Sequence, residues 1–341
     1  MSAVLHAPTH LPAALPKLRA AACRRAGTAE QLRARLRRLA GSPDVLQSFA
    51  TDWHAPREVG PRGTAPWEDT SWEDAASTPS TGALHAALRE GRLDFAVHRL
   101  RDLSQRGRIL LPEDLTLAAL LPREDARDAL VLAPNTPPVF RRVAIPELPI
   151  GACLGLSDRL REAQLRHLRP DLRFRALPGD AAARLRALGN GDQTATVLSV
   201  AALRRLDHPG RSVLPLDPEL VVPAAGQGIL AVTARAADAA TRRLLRLLDS
   251  ADSRAAWAAE GALLRALGDA GAVVAAHAWP LPGGLLRLAG LVLPPEGGEP
   301  RRATLSAPIG EAAALGTRLA EALRRDEAAP VTRDTVGVGQ G

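Results

Sequence analysis

Apolar residues follow two rhythms along this chain, a helical period and a strand-like alternation, and from residue 83 onward the two take turns. Residues 1–16, with three prolines, follow neither rhythm and read as a disordered extension. Leu32, Leu36 and Leu39 at helical spacing predict a helix from Ala20 to Leu39. Residues 54–82, rich in Pro, Gly, Ser and Thr around Trp67 and Trp72, read as a long loop, either a lid or a disordered stretch. A short helix over Ala83–Glu90, a turn at Gly91-Arg92 and a strand over Leu93–His98 come next. Leu110–Leu121 and Ala129–Leu132 read as strand or hinge segments, and Pro134, Pro137 and Pro138 punctuate a crossover.

Beyond Gly151 the alternation is regular. A strand-to-turn passage from Leu154 leads to a helix over Asp158–Leu168, a strand over Leu172–Leu177 and a helix over Ala181–Leu188. A strand over Thr194–Val200 and a helix opening at Ala201–Leu206 complete the series. Strands and helices in alternation, joined by short connections, predict a mostly parallel sheet covered by helices, the α/β class. In such folds binding residues gather beyond the carboxyl ends of strands, where Ser157-Asp158 and Arg204-Arg205 stand. After Gly228 a strand (Leu230–Thr233) and a helix (Ala237–Leu248) follow, and then Ser250, Asp252 or Ser253 caps a helix over Ala255–Leu267. Val273–Trp279 and Leu285–Val292 flank Pro282-Gly283-Gly284 as a β-hairpin. A helix over Gly310–Arg325 and a disordered tail over 326–341 close the chain, which has no internal repeat.

Composition narrows the possibilities. A chain of 341 residues exceeds one ordinary core and implies two or three domains. With 46% hydrophobic residues, 3% aromatics and no tyrosine, the cores must be built from Leu, Val and Ala. Lys17 is the one lysine among 44 basic residues, and the net charge is +7. Residues 1–50 hold Lys17 and seven arginines against Glu30 and Asp44. No aromatic residues interleave with those arginines to stack bases, so a solvated helix face is favoured over a nucleic-acid patch. Cys23 and Cys153 alone exclude a disulfide framework and a multi-cysteine metal site. The chain shows no apolar run of membrane-spanning length and no secretory pattern at its N-terminus. A transit peptide is conceivable from the Arg-rich start, but a cytoplasmic protein is the expectation.

The candidate chemistry lies in spaced arginines between Leu154 and Gly228. The runs are Gly155-Leu156-Ser157-Asp158-Arg159-Leu160-Arg161, Leu177-Pro178-Gly179-Asp180 followed by Arg184, and Ala202-Leu203-Arg204-Arg205-Leu206. They end in the glycine-rich Pro223-Ala224-Ala225-Gly226-Gln227-Gly228. A guanidinium fork matches a carboxylate with two parallel hydrogen bonds, so arginines gathered in a cleft suit an acidic ligand. Two earlier runs, Leu93–Leu103 with Arg101-Asp102 and Leu121–Leu130, fall in order before these. Together they resemble the signature of the hydroxymethylbilane synthase (porphobilinogen deaminase) family over about residues 83–325.

The resemblance implies two similar doubly wound, mixed-sheet α/β lobes around a cleft plus a smaller α+β C-terminal domain. Domain 1 would take residues 17–132 and 226–248, domain 2 residues 133–225, and domain 3 residues 250–325, with crossings near Ala133 and Pro223. It implies a monomer that polymerises porphobilinogen, or a related anionic pyrrole, into a linear tetrapyrrole on a cysteine-linked dipyrromethane cofactor. Each addition passes through cationic pyrrole intermediates, which call for a buried carboxylate. Asp102 matches that catalytic carboxylate, and Arg101, Ser157, Arg161, Arg184 and Arg205 match groups that hold substrate and cofactor carboxylates.

The chain also departs from that pattern. Ser-x-Lys ahead of the catalytic aspartate reads Arg99-Leu100-Arg101, a serine is replaced by Asp158, and an arginine is lost at Pro178. The cofactor-bearing cysteine position reads Gly271, within Leu267-Gly268-Asp269-Ala270-Gly271-Ala272. A thioether needs a nucleophilic sulfur, so covalent dipyrromethane is not expected here. The alternative to an impaired or altered transferase is a non-catalytic protein whose arginine-lined cleft binds an anionic small molecule or a protein partner.

Overall fold

The structure, a computed structural model, describes residues 18–22, 46–50, 81–134, 136, 144–179, 181–190, 193–204, 206, 213–268, 272–294 and 299–325. The expectations for 1–16 and the tail over 326–341 lie outside the described residues, as does the loop expected over 54–82 except for Thr81 and Gly82, which open a helix.

In the first part of the chain, β1 (Leu18–Ala22) and β2 (Leu46–Ala50) are followed by α1 (Thr81–Arg89) and β3 (Phe95–Arg99). A 3₁₀ turn over Leu100–Leu103 leads into a small hairpin, β4 (Ser104–Gln105) and β5 (Arg108–Ile109), and then β6 (Leu115–Leu120). Leu18–Ala22 is thus a strand, where the leucine spacing predicted a helix beginning at Ala20; the rest of that expected helix, 23–39, lies outside the described residues. The strand pairs in parallel with both β2 and β3, and that pairing overrides the weak strand preference of an alanine run.

Across residues 121–127 the chain enters a second sheet, earlier than the crossing expected near Ala133. The strands there are β7 (Asp128–Leu132), β8 (Cys153–Leu156), β9 (Arg173–Ala176), β10 (Ala195–Ser199) and β11 (Val213–Pro215). Their helices are α2 (Arg159–Leu168), α3 (Ala181–Asn190) and α4 (Val200–Leu203). The chain then returns to the first sheet with β12 (Leu230–Arg235) and α5 (Ala239–Leu245).

The two five-stranded sheets have one plan, β2-β1-β3-β12-β6 and β9-β8-β10-β7-β11. In each, three parallel strands meet a fourth that runs antiparallel to both of its neighbours. That fourth strand is the one that has just crossed from the other sheet, so each lobe is completed by a strand delivered through the crossing. Helices cover both faces. Phe95 and Val97 pack toward Leu244 and Leu245 of α5, while Ala96 packs toward Leu84 and Leu88 of α1. In the second sheet Leu154 and Val197 meet Leu165 of α2, and Ala129 and Val131 meet Leu185 and Leu188 of α3.

The last part of the chain is smaller: α6 (Ala251–Leu267), β13 (Val273–Leu281), β14 (Leu285–Leu293), β15 (Arg301–Pro308) and α7 (Ala312–Arg324). Ser250 caps α6, accepting the Ser253 N–H, one of the caps anticipated. One face of this sheet packs under α6 and α7, which lie so close that a Cβ on Gly316 would overlap the Ala259 carbonyl. On the other face, Ala275, Leu291 and Leu293 pack with Val222 and with Leu160 and Ala163 of α2. Two α/β lobes and an α+β unit are the architecture expected.

Candidate active site

Two segments carry the chain between the sheets, 121–127 outward and 216–229 back, and they are bonded to each other. Glu124 N–H donates to the Gly228 carbonyl at 2.9 Å, and Arg123 Nε donates to the Gln227 carbonyl at 2.8 Å. Gly228 has φ +80°, and a Cβ there would meet the Glu124 carbonyl at 2.8 Å, so this glycine is required both by conformation and by close approach. Behind them Glu260 of α6, fully buried, accepts from Arg123 Nη1, from Gly226 N–H at 2.7 Å and from Ala278 N–H at 2.7 Å. One carboxylate therefore ties both crossings to the third unit.

Beyond these crossings the carboxyl ends of β3 and β8, one from each sheet, come together. The turn after β3 buries Leu100 and Leu103, which directs the two residues between them toward solvent. The Asp102 side chain is accordingly partly exposed, at 27%, where a buried carboxylate was expected, and its Oδ2 accepts from Arg99 Nε at 2.6 Å. Arg101 reaches the other sheet: its Nη2 donates to Asp158 Oδ2 at 3.0 Å. Asp158 follows β8 and caps α2, its Oδ1 accepting the N–H groups of Leu160 at 2.9 Å and Arg161 at 3.4 Å. Ser157 Oγ beside it is buried without a hydrogen-bond partner among the described residues.

Arg161 and Arg184 are both buried, at 5% and 3% exposure, which sets them apart from arginines on a solvated helix face. Arg161 forms a fork with Asp128, Nε at 3.1 Å and Nη2 at 2.9 Å, and Gln227 Nε2 donates to the same carboxylate at 2.7 Å. Arg184 Nε donates to the Gly179 carbonyl at 2.9 Å. At the first crossing Asp125 accepts from Arg127 and from Arg204, at 3.3 Å for the latter, and the Arg127 bond chiefly holds its carboxyl below the usual range. Arg205 and Gly271 lie outside the described residues. Cys153 opens β8, so it sits about 13 Å along the strand from the Ser157 end, at ~3.3 Å per residue. Asp128 and Gln227 were not singled out as site residues. The available signal was an aspartate heading the otherwise apolar run Asp128–Leu132.

Residues 78–243 match the family described as "Porphobilinogen deaminase, dipyromethane cofactor binding domain". The porphobilinogen deaminase of Roseiflexus sp. (strain RS-1) is 39% identical over 69% of this chain and 75% of its own length. Those of Syntrophotalea carbinolica and Chromobacterium violaceum are 39% and 40% identical over 70% of this chain, covering 73% and 74% of their lengths. The chain belongs to the porphobilinogen deaminase family. These are hydroxymethylbilane synthase-type transferases of tetrapyrrole biosynthesis, and the resemblance carried by the arginine-bearing runs is thereby met.

Within this porphobilinogen deaminase-family chain, three of the arginines singled out for ligand carboxylates bond protein groups: Arg101 holds Asp158, Arg161 holds Asp128, and Arg184 holds a carbonyl. Among the described residues no group of three or more His, Cys, Asp or Glu side chains forms a metal site. No helix among them is long and apolar enough to cross a membrane.

Proposed function

We propose that this porphobilinogen deaminase-family protein binds porphobilinogen or a related anionic pyrrole where the two sheets meet, without carrying the pyrrole chain as a covalent adduct. The observation that carries this reading is the glycine at 271, where the family resemblance places the cofactor-bearing cysteine. The described thiol, Cys153, belongs to the far end of β8. A glycine supplies no nucleophile, so the donor set does not fit a thioether-linked dipyrromethane.

The chain's own residues supply the rest. Asp102 stands at the sheet junction with a carboxylate able to accept pyrrole N–H groups and to stabilise developing positive charge. Arg101, Ser157 and Arg205 are the groups to meet ligand carboxylates. Arg161 and Arg184 act as positioning residues, because both side chains are buried against protein partners. Domain limits follow the sheets, with the second lobe taking β7 to β11 and the crossings at 121–127 and 216–229.

Intact-protein mass spectrometry after expression tests the central statement. The expected mass is that of the bare polypeptide, together with calorimetric binding of porphobilinogen and no sustained release of linear tetrapyrrole. A mass increment of two pyrrole rings overturns the loss of tethering, and absence of any heat with porphobilinogen overturns the binding reading.

A further inference from the structure

We propose that Asp158 is a built-in competitor for acidic ligands: its carboxylate occupies Arg101 and the first turn of α2, fastening the two lobes where an external carboxylate would otherwise dock. Three observations converge on this residue. Asp158 belongs to the second sheet's connection and Arg101 to the first's, so their 3.0 Å ion pair spans the lobes. The two oxygens divide the work, Oδ2 taking the guanidinium and Oδ1 the amides of Leu160 and Arg161. An anion at a helix start beside an arginine would satisfy these same donors. Finally, Ser157 Oγ is buried next to this carboxylate with no partner among the described residues, a spare polar atom that Asp158 does not satisfy.

The geometry favours a lasting contact over a passing surface pair. The Asp158 side chain is 9% exposed and Arg101 32% exposed, so bulk water screens the pair less than it screens surface ions. An incoming carboxylate has to displace Asp158 and also meets its negative charge at contact distance. Replacing Asp158 by serine keeps a capping oxygen for α2 while freeing the Arg101 guanidinium. The prediction is therefore a gain of binding in the variant, which a merely disrupted protein would not show.

Citrate, a small tricarboxylate, serves as the probe, titrated by calorimetry into the full chain. Asp158→Ser is expected to bind citrate at least tenfold tighter than the unmodified protein, and adding Arg101→Ala to that variant is expected to abolish the gain. Glu311→Gln, which removes one exposed carboxylate from the third unit, is the charge control and stays at the unmodified value. Asp158→Asn, also a good cap, repeats the test if the serine variant folds poorly. No gain in either variant, or a gain that survives loss of Arg101, overturns the proposal. The proposal uses the site named under the proposed function, and porphobilinogen run in parallel separates the two. A citrate gain with no porphobilinogen binding to either form refutes the pyrrole reading and leaves the competitor role standing.

Discussion

His98 makes the first lobe acid-labile by an amount that can be worked out. It lies in β3 at 2% exposure, with its Nε2 2.9 Å from Thr233 Oγ1 of β12 and its ring 5.3 Å from that of His85. Burial, reinforced by His85, pushes its pKa down to about 3. In the unfolded chain the value returns to about 6.5. Between those limits the unfolded state binds the additional proton, so stability rises with pH through the window. It is fully present above about pH 6.5 and is lost as pH falls toward 3. Each pH unit is worth about 1.4 kcal/mol, so moving from pH 7 to pH 4.5 costs roughly 2.5 kcal/mol from this residue alone. That is a large fraction of a typical folding free energy of about 5–15 kcal/mol. The matched variant is His98→Gln, whose amide can still meet Thr233 but does not titrate. Urea unfolding at pH 7 and pH 4.5 should show the unmodified protein losing roughly 2.5 kcal/mol more than His98→Gln across that interval. The His98 ring proton, followed by NMR, should keep its chemical shift from pH 8 down to pH 4.5. A midpoint near 6.5, or equal acid sensitivity in the two proteins, refutes the reasoning.

Three further outcomes follow from named contacts. Asp128→Ala leaves the buried Arg161 guanidinium without its carboxylate and should destabilise the second lobe by about 3–5 kcal/mol in urea unfolding, whereas Asp128→Leu with Arg161→Met should recover most of that loss. Gly228→Ala places a Cβ 2.8 Å from the Glu124 carbonyl at φ +80°, and a loss of at least ~1 kcal/mol is expected, with the crossing segments exchanging amide hydrogens faster. Ser250→Ala removes the α6 cap and should lower stability by about 1 kcal/mol, read as a fall in the thermal midpoint of the third unit.

How much of this was written in the chain depends on whether the cause was local. The hairpin around Pro282-Gly283-Gly284 and the cap at Ser250 were legible because turn chemistry and capping act within a few residues. The βαβ series from Cys153 to Ser199 was legible because each strand is an apolar run bounded by a helix of clear period. β1 was not, since Leu-Arg-Ala-Ala-Ala owes its extended form to its two parallel partners. β15 was missed for a related reason: it is an edge strand that begins with Arg301-Arg302 and ends at Pro308, so alternation is blurred. Asp102 was correctly placed after β3, but its exposure is decided by Leu100 and Leu103 turning inward. The shared plan of the two sheets depends on which strand crosses, and no local pattern states that.

The ion pairs explain how such a scaffold keeps its shape. Arginines that would otherwise demand external anions need partners in any folded state, because an unpaired buried guanidinium is among the costliest groups a core can hold. In this chain Asp128 meets that need for Arg161, while Asp158 pairs at the lobe junction with the partly exposed Arg101. Glu260 does the same for Arg123 at the crossings. The three carboxylates do not have the same consequence. Asp128 and Glu260 lie behind the crossings, where they bind the architecture together whether or not a ligand is present. Of the three, Asp158 is the one bonded to an arginine from the opposite sheet. Substituting Asp128 or Glu260 should therefore cost stability first, while substituting Asp158 should change what binds. A set of variants in which all three lose stability alike, with no change in anion affinity at Asp158, would show that the junction is only structural.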